Sequence, residues 1–227
     1  MLMHVTSSSH SRPHSFRDLG IAAASNPMIS LSEFFYRRGS EIYGEKEPVE
    51  YVYQVKSGAV RSYKLLTDGR RQIGAFHVPG DIFGLDHGGV HRFTTEAVMD
   101  TTARLIRRES LEAVAEKDSI LIKSLLCMAT ANLWHAEDHM LLLGRKTAME
   151  RVAAFLIEMD RRLTAAGILA LPMTRRDIAD YLGLTLETVS RSLSYLRELG
   201  ILRFIDNNQR QIVLMDRQQL AGFDRPN

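Results

Sequence analysis

The chain carries one cysteine, Cys127, among 227 residues. A disulfide framework is excluded, and such sparse usage fits a reducing cytoplasm. A four-cysteine iron–sulfur cluster within one chain is excluded by the same count. No apolar run is long enough to span a bilayer, so no membrane partner is expected. The opening M-L-M-H-V-T-S-S-S-H-S-R-P-H-S lacks the apolar core of a signal peptide. It reads as a flexible arm over residues 1–25. Strong charge is also missing: 29 Lys+Arg against 27 Asp+Glu leave a net +2. Up to Gly144, 16 basic residues face 17 acidic ones, and beyond it 13 face 10. This weak positive bias in the second half agrees with nucleic-acid binding there but would not establish it. The 45% hydrophobic content is enough for two modest cores.

The most informative stretch is L-P-M-T-R-R-D-I-A-D-Y-L-G-L-T-L-E-T-V-S-R-S-L-S-Y-L-R-E-L, residues 171–199. It reads as two short amphipathic helices joined by a turn at Gly183, the form of a helix-turn-helix. Thr174 is placed to cap the first helix, with Asp177 adding negative charge in its first turn. Ile178, Ala179 and Leu182 give it an apolar face. Thr185 is placed to cap the second helix, where Leu186, Val189, Leu193 and Leu196 recur at core spacing. The opposite face carries Glu187, Ser190, Arg191 and Ser194. Arginine suits guanine O6/N7, glutamate accepts from cytosine N4, and serine bonds either way. The plain alternative is a helical pair with a surface Glu–Arg bridge. After Gly200, I-L-R-F-I and R-Q-I-V-L-M flank D-N-N-Q, which signals a β-hairpin and makes the unit a winged helix. Arg203, Gln209 and Arg210 are placed either to touch phosphate from this wing or only to solvate it.

The first half has another texture. From about residue 29 to 106, short β-rich runs alternate with Gly, Pro and Asp turns. Tyr51, Tyr53 and Val55 alternate with Val52 and Gln54. Such a pattern predicts a β-barrel or jelly-roll-like domain, a fold that often encloses a small ligand. Over about 119–143, Ile122, Leu126, Ala129, Leu133, Ala136, Met140 and Leu143 follow a 4-3-4-3-4-3 spacing. That is a heptad seam, and beside a DNA-binding domain it favours a two-fold homodimer. Two recognition helices would then meet major grooves roughly 34–36 Å apart on a palindrome. The expected class is α+β: a flexible arm (1–25), a β-roll (26–115), a dimerisation helix (116–144) and a winged helix-turn-helix (145–227).

This layout resembles the family of the cyclic-AMP receptor protein and the fumarate–nitrate regulator, bacterial transcription factors. The resemblance spans roughly residues 29–224 and rests on Y-V-Y-Q-V-K-S-G-A-V-R-S-Y, P-G-D-I-F-G-L-D, R-K-T-A-M-E-R-V-A-A-F-L and M-T-R-R-D-I-A-D-Y-L-G-L-T-L-E-T-V-S-R-S-L. It looks most like the FixK-type branch, which controls microaerobic respiration and nitrogen-fixation genes. The resemblance implies a cyclic-nucleotide-binding-like β-roll and a TTGA-like half-site. It further implies that Glu187 and Arg191 read the G·C pair, that Ser190 touches the adjacent thymine, and that Leu186 meets a thymine methyl unless it is buried. Backbone contacts are assigned to Thr174, Arg175, Arg176, Thr185, Thr188, Arg197 and Arg210. RNA polymerase is the implied protein partner, with the 83–89 loop and the basic tip T-D-G-R-R at 67–71 as candidate surfaces; simple solvation is the plainer role for that tip.

The family's cyclic-nucleotide chemistry is not carried over. Leu85 stands where the ribose-binding acid is expected, and Phe93 follows Arg92 where a small hydroxyl residue is expected. An apolar side chain cannot hydrogen-bond a sugar hydroxyl, so no tight cyclic-AMP binding and no cofactor are expected. The rival class is a cupin-type metal enzyme using His77, His87, His91 and Glu96. Their spacing does not match the usual cupin pattern, and His87 and His91 read as a Gly-rich surface turn, so binding rather than catalysis is expected. Cys127 reads as a small buried hydrophobe rather than a redox switch.

Overall fold

The computed structural model describes Phe16, Leu19, Ile21 and residues 30–223. Eight strands build the first half: β1 (Ser32–Tyr36), β2 (Glu41–Tyr43), β3 (Tyr51–Ser57), β4 (Val60–Leu65), β5 (Arg71–His77), β6 (Ile82–Phe83), β7 (Thr94–Ala97) and β8 (Thr101–Arg107). They form two antiparallel four-stranded sheets, ordered β1-β8-β3-β6 and β2-β7-β4-β5. The sequence alternation in β3 separates two interiors. Tyr53 and Val55 pack inside the roll with Tyr43, Phe83 and Ala103. Val52 points the other way, toward the helices, and meets Ile106, Leu111 and Leu121. At the β3–β4 turn, Gly58 has φ +92°, and a Cβ there would lie 2.4 Å from Thr101 Oγ1. Only glycine fits that combination of backbone and space.

Three helices follow: α1 (Arg108–Ala115), the 27-residue α2 (Ser119–Arg145) and α3 (Ala148–Leu163). Asp118 caps α2 by accepting from the backbone N–H of Ile120 and Leu121 at 2.9 and 3.1 Å. Thr147 and Glu150 form a reciprocal capping box on α3. Helix α2 carries two stripes. Leu121 and Met128 are buried and Leu125 packs against the same β-roll core. One position further round, Ile122, Leu126, Ala129, Leu133, Ala136 and Met140 are all exposed, and Leu143 is half-buried. Ile122, Leu126, Ala129, Leu133 and Met140 of the heptad seam therefore face away from their own chain, whereas Ala136 borders a cavity beside the roll and Leu143 lies toward Gly183.

After α3 come β9 (Thr164–Ala165) and β10 (Ile168–Ala170), then α4 (Arg175–Leu182), α5 (Leu186–Glu198), β11 (Leu202–Phe204), β12 (Gln211–Leu214) and α6 (Arg217–Gly222). The wing is a four-stranded sheet, β11-β12-β10-β9, rather than the two-stranded hairpin expected from sequence. Strands this short, divided by the Ala166–Gly167 turn, carry almost no periodicity to read. Val152, Phe155, Leu156, Leu182, Val189, Leu193 and Leu196 form the C-terminal core, and Ile73 and Phe76 of β5 belong to the same cluster. The β-roll and the helix-turn-helix thus share buried contact.

Three sequence expectations are corrected here. Phe16, Leu19 and Ile21 lie within the 1–25 segment read as a flexible arm, yet each is at most 3% exposed and packs against Val52, Ile106 and Leu121. The rest of that segment lies outside the described residues. Cys127 is exposed rather than buried, because it sits on the outward half of α2 beside Leu126. His91 is buried rather than at a surface turn: its ring stacks on Tyr43 with centroids 3.5 Å apart, and it bonds Asp86 at 3.0 Å.

Candidate nucleic-acid interface

Helix α4 begins where its sequence says it should. The Thr174 hydroxyl accepts from the Asp177 N–H at 3.1 Å, and the Asp177 carboxylate accepts from the Thr174 N–H at 2.9 Å. Helix α4 ends at Gly183, whose φ of +62° is the left-handed stop that glycine adopts without strain. Thr185 caps α5 by accepting from the Thr188 N–H at 3.2 Å, and the two hydroxyls lie 3.0 Å apart. Val189, Leu193 and Leu196 are buried, as the spacing requires, and Leu186 is half-buried.

The opposite face of α5 is free for a partner. Glu187 and Arg191 are exposed and Ser190 is half-exposed between them. Glu187's own backbone N–H and the Thr185 hydroxyl, then Arg176 and Arg191, hold its carboxyl below the usual range. It is therefore a pure acceptor at neutral pH, the form that pairs with a cytosine amino group.

The candidate backbone contacts sit around this face. Arg175 is partly engaged: it donates to the Gln209 side chain and its guanidinium lies 5.6 Å from the Phe204 ring centre. Burial, and then Arg197, push its pKa down. The wing turn is closed by Asp206, whose carboxylate accepts from the Arg210 and Gln211 N–H groups, both at 2.9 Å. Arg176 and Arg197 are exposed, and Arg203 is exposed on β11.

Sequence reasoning missed what holds this unit against the rest. Asp177 is 2% exposed, and Arg61 of β4 and Arg71 of β5 both reach its Oδ1 at 2.6 Å. Arg61 also bonds Glu96 at 2.8 Å and Arg71 bonds Asp180. Arg71 is therefore not the solvated tip residue expected from T-D-G-R-R, whereas Arg70 is, exposed and paired with Asp68 two residues before it. A second node is Arg151 on α3, which donates to the carbonyls of Lys146, Leu182 and Leu143 at 2.9, 3.0 and 2.8 Å. It joins the C-terminus of α2 to that of α4. Tyr181 of α4 stacks on His139 of α2 at 4.2 Å. Nothing local in the sequence pairs these residues.

The His77, His87, His91 and Glu96 grouping does not assemble. His77 bonds Ser62 at 3.0 Å, His91 bonds Asp86, His87 is exposed, and Glu96 is held by Arg61. Among the described residues no three His, Cys, Asp or Glu gather as a metal site. Burial pushes His77 down to about 4, Arg162 and His135 add to this, and Asp81 opposes it. Unfolded, it takes a proton near pH 6.5. Its contribution to stability is therefore complete above that pH and falls as pH drops toward 4, by on the order of 3 kcal/mol. Urea midpoints measured between pH 7 and 4.5 should fall more steeply in the native chain than in His77→Gln; equal slopes would refute this assignment.

A cavity of about 400 Å³ lies between the roll and α2, lined by His77, Phe83, Leu85, Phe93, Asn132 and Arg162 among others. Leu85 and Phe93 add apolar surface to this lining.

Known proteins agree with this arrangement. Residues 33–118 match the cyclic nucleotide-binding domain, and residues 150–223 match the Crp-like helix-turn-helix domain. The nitrogen fixation regulation protein FixK of Azorhizobium caulinodans is 43% identical over 90% of this chain and 81% of its own length. FixK of Rhizobium meliloti is 41% identical over 83% of this chain and 84% of its own. The structure of FixK2 from Bradyrhizobium japonicum superposes with a TM-score of 0.84 at 63% identity, covering 87% of this chain and 99% of that one. No helix among the described residues is long and apolar enough to cross a membrane. A β-roll joined by a long helix to a winged helix-turn-helix, together with these relatives, shows that the chain belongs to the CRP/FNR family as a FixK-type transcription regulator.

Proposed function

We propose that a homodimer of this chain, joined along α2 in the cytoplasm, binds a TTGA-like palindrome and recruits RNA polymerase, mainly as an activator. Its targets are genes of microaerobic or anaerobic respiration or nitrogen fixation, and it works by binding rather than catalysis. The observation that carries this reading is the split character of α5. One side is buried in the domain core, and the other offers Glu187, Ser190 and Arg191 to a groove. Glu187 and Arg191 read the G·C pair, Ser190 the neighbouring thymine, and Leu186 a thymine methyl from its half-buried position. Thr174, Arg175, Arg176, Thr185, Thr188, Arg197 and Arg210 hold the phosphates and set register. Neither a cyclic nucleotide nor an iron–sulfur cluster is required: Leu85 and Phe93 oppose the first, and the single cysteine opposes the second.

Fluorescence anisotropy of purified, metal-free, aerobic protein against TTGAT-N4-ATCAA and a scrambled duplex tests this directly. Selective binding without additives is expected. Arg191→Ala should lose about 1–3 kcal/mol per half-site on the palindrome. It should lose little on scrambled DNA, because a base contact contributes only where its base is present. Equal losses on both duplexes would refute the assignment of α5 as the reading helix.

The 400 Å³ cavity supports a second reading, in which a small molecule in the β-roll gates DNA binding. That reading requires selective binding to be absent until ligand is added.

A further inference from the structure

Two helix ends converge on the side chain of Arg151. Helix α2 stops at Arg145, and Lys146 and Thr147, both in extended backbone, are all that separates it from α3. So short a link leaves the angle between the helices to other contacts. The carbonyl of Leu143 loses its usual helical donor there, because the Thr147 N–H turns to the Glu150 carboxylate. Arg151 supplies the missing donor. Its Nη2 reaches Leu143 at 2.8 Å and its Nε reaches the Lys146 carbonyl at 2.9 Å, while Nη1 reaches across to the carbonyl of Leu182, the last residue of α4, at 3.0 Å. A cation placed at two helix C-termini also meets the negative end of both dipoles. Two more contacts close the same joint. Leu143 packs so near Gly183 that a Cβ there would lie 3.5 Å from its Cδ2, and His139, one turn earlier on α2, stacks on Tyr181. The start of α4 is held elsewhere, by Asp177 to the β-roll. Its end, from which Gly183, Leu184 and Thr185 lead into α5, is held to the helix that carries the heptad seam.

We infer that Arg151 is a positioning residue that sets which half-site spacing the regulator accepts. The inference rests on the homodimer joined along α2. In such a pair the two α5 helices take their separation from the seam and from the α2–α4 joint on each side. One base pair more or less in the spacer moves a half-site by roughly 3.4 Å and turns it by roughly 35° about the DNA axis. A stiff joint cannot follow that change, so the second half-site is lost, and with it the gain from holding both at once. A loose joint follows it and discriminates less. Arginine suits the task because its planar fork donates in fixed directions, whereas a lysine ammonium is a compact charge on a flexible stem. Arg151 acts through the joint and not on the bases, so the reading face of α5 is left as it is.

The test is anisotropy titration of the full chain, at fixed salt, with TTGAT and ATCAA held apart by three, four, five or six nucleotides, and with a single half-site. The native chain should bind its best spacing at least tenfold more tightly than that spacing changed by one base pair. Arg151→Lys keeps the positive charge at both helix ends and should remain a folded dimer by circular dichroism and sedimentation. Its affinity for the single half-site should stay within about twofold of native, while its preference for the best spacing shrinks at least fivefold. His139→Ala loosens the same joint with Arg151 in place and should shrink the preference in the same direction. A lysine variant that discriminates spacings as the native chain does would overturn the proposal; if that variant does not fold, native discrimination in His139→Ala overturns it instead. Equal losses on every spacing and on the single half-site would also overturn it, since they are the mark of a damaged reading head, as would a native dimer indifferent to spacing. A native chain that sediments as a monomer, or that binds the palindrome no better than the half-site, would sink the homodimer itself and this inference with it.

Discussion

Asp177→Ala is expected to destabilise the chain by about 3–5 kcal/mol, the range for breaking a buried ion pair from one side. The variant strands Arg61 and Arg71, both largely buried, with Glu96 and Asp180 left among the described residues to compensate them. It also removes half of the α4 capping box, and a lost cap costs ~1 kcal/mol. Urea unfolding followed by circular dichroism should show the midpoint falling with an unchanged slope. Asp177→Asn separates the parts, since an amide keeps a hydrogen bond to Thr174 but not the charge; its loss should lie between native and alanine. The pH dependence has a definite sign. Burial raises the Asp177 carboxyl, but the Thr174 bonds and the two arginines outweigh it and hold it below its ordinary value. Its contribution is thus complete above about pH 4 and is lost as pH falls below that. A loss under about 1 kcal/mol for the alanine variant would mean that the clamp is a solvent-screened surface pair.

The local parts of this arrangement were legible in the sequence because they rest on short-range rules. Thr174, Gly183 and Thr185 mark helix ends by capping and left-handed geometry, which need only neighbouring residues. The exposed apolar stripe of α2 follows from spacing alone. What was not legible is what those helices pack against. Asp177 reads locally as a first-turn acid, and that is half of its role. Its two arginines lie 116 and 106 residues earlier, and no periodicity links them. The buried Phe16, Leu19 and Ile21 were hidden for a similar reason. Three apolar residues in a polar, Ser- and His-rich stretch resemble a loose arm until Val52 and Ile106 are brought beside them. His91 illustrates the opposite error: Gly88 and Gly89 marked its neighbourhood as a surface turn correctly, but the next residue but one turns inward onto Tyr43.

The reading of α2 as a dimerisation helix makes the second large prediction. Leu133→Glu combined with Met140→Glu should yield a monomer, with binding to a full palindrome reduced at least 100-fold. Leu126, Leu133 and Met140 are 65%, 57% and 65% exposed in the single chain, with Trp134 beside them at 62%. Large apolar side chains aligned over several turns of one face are what a monomer does not normally leave in water. In a two-fold pair each position on this stripe meets its own copy or a near neighbour, so every glutamate would bury charge against charge. Folding of the single chain should survive, because Leu121, Leu125 and Met128, which hold α2 to the β-roll, lie on the other stripe. Sedimentation velocity should show the change in mass while circular dichroism stays native. DNA binding adds a further check. Joining two half-site readers makes the second contact intramolecular and contributes about 10²–10⁴ in affinity. The variant should therefore lose the palindrome yet bind an isolated half-site as the native chain does. A variant that still sediments as a dimer would show that the seam lies elsewhere, and equal losses on palindrome and half-site would point to a damaged reading head rather than a lost partner.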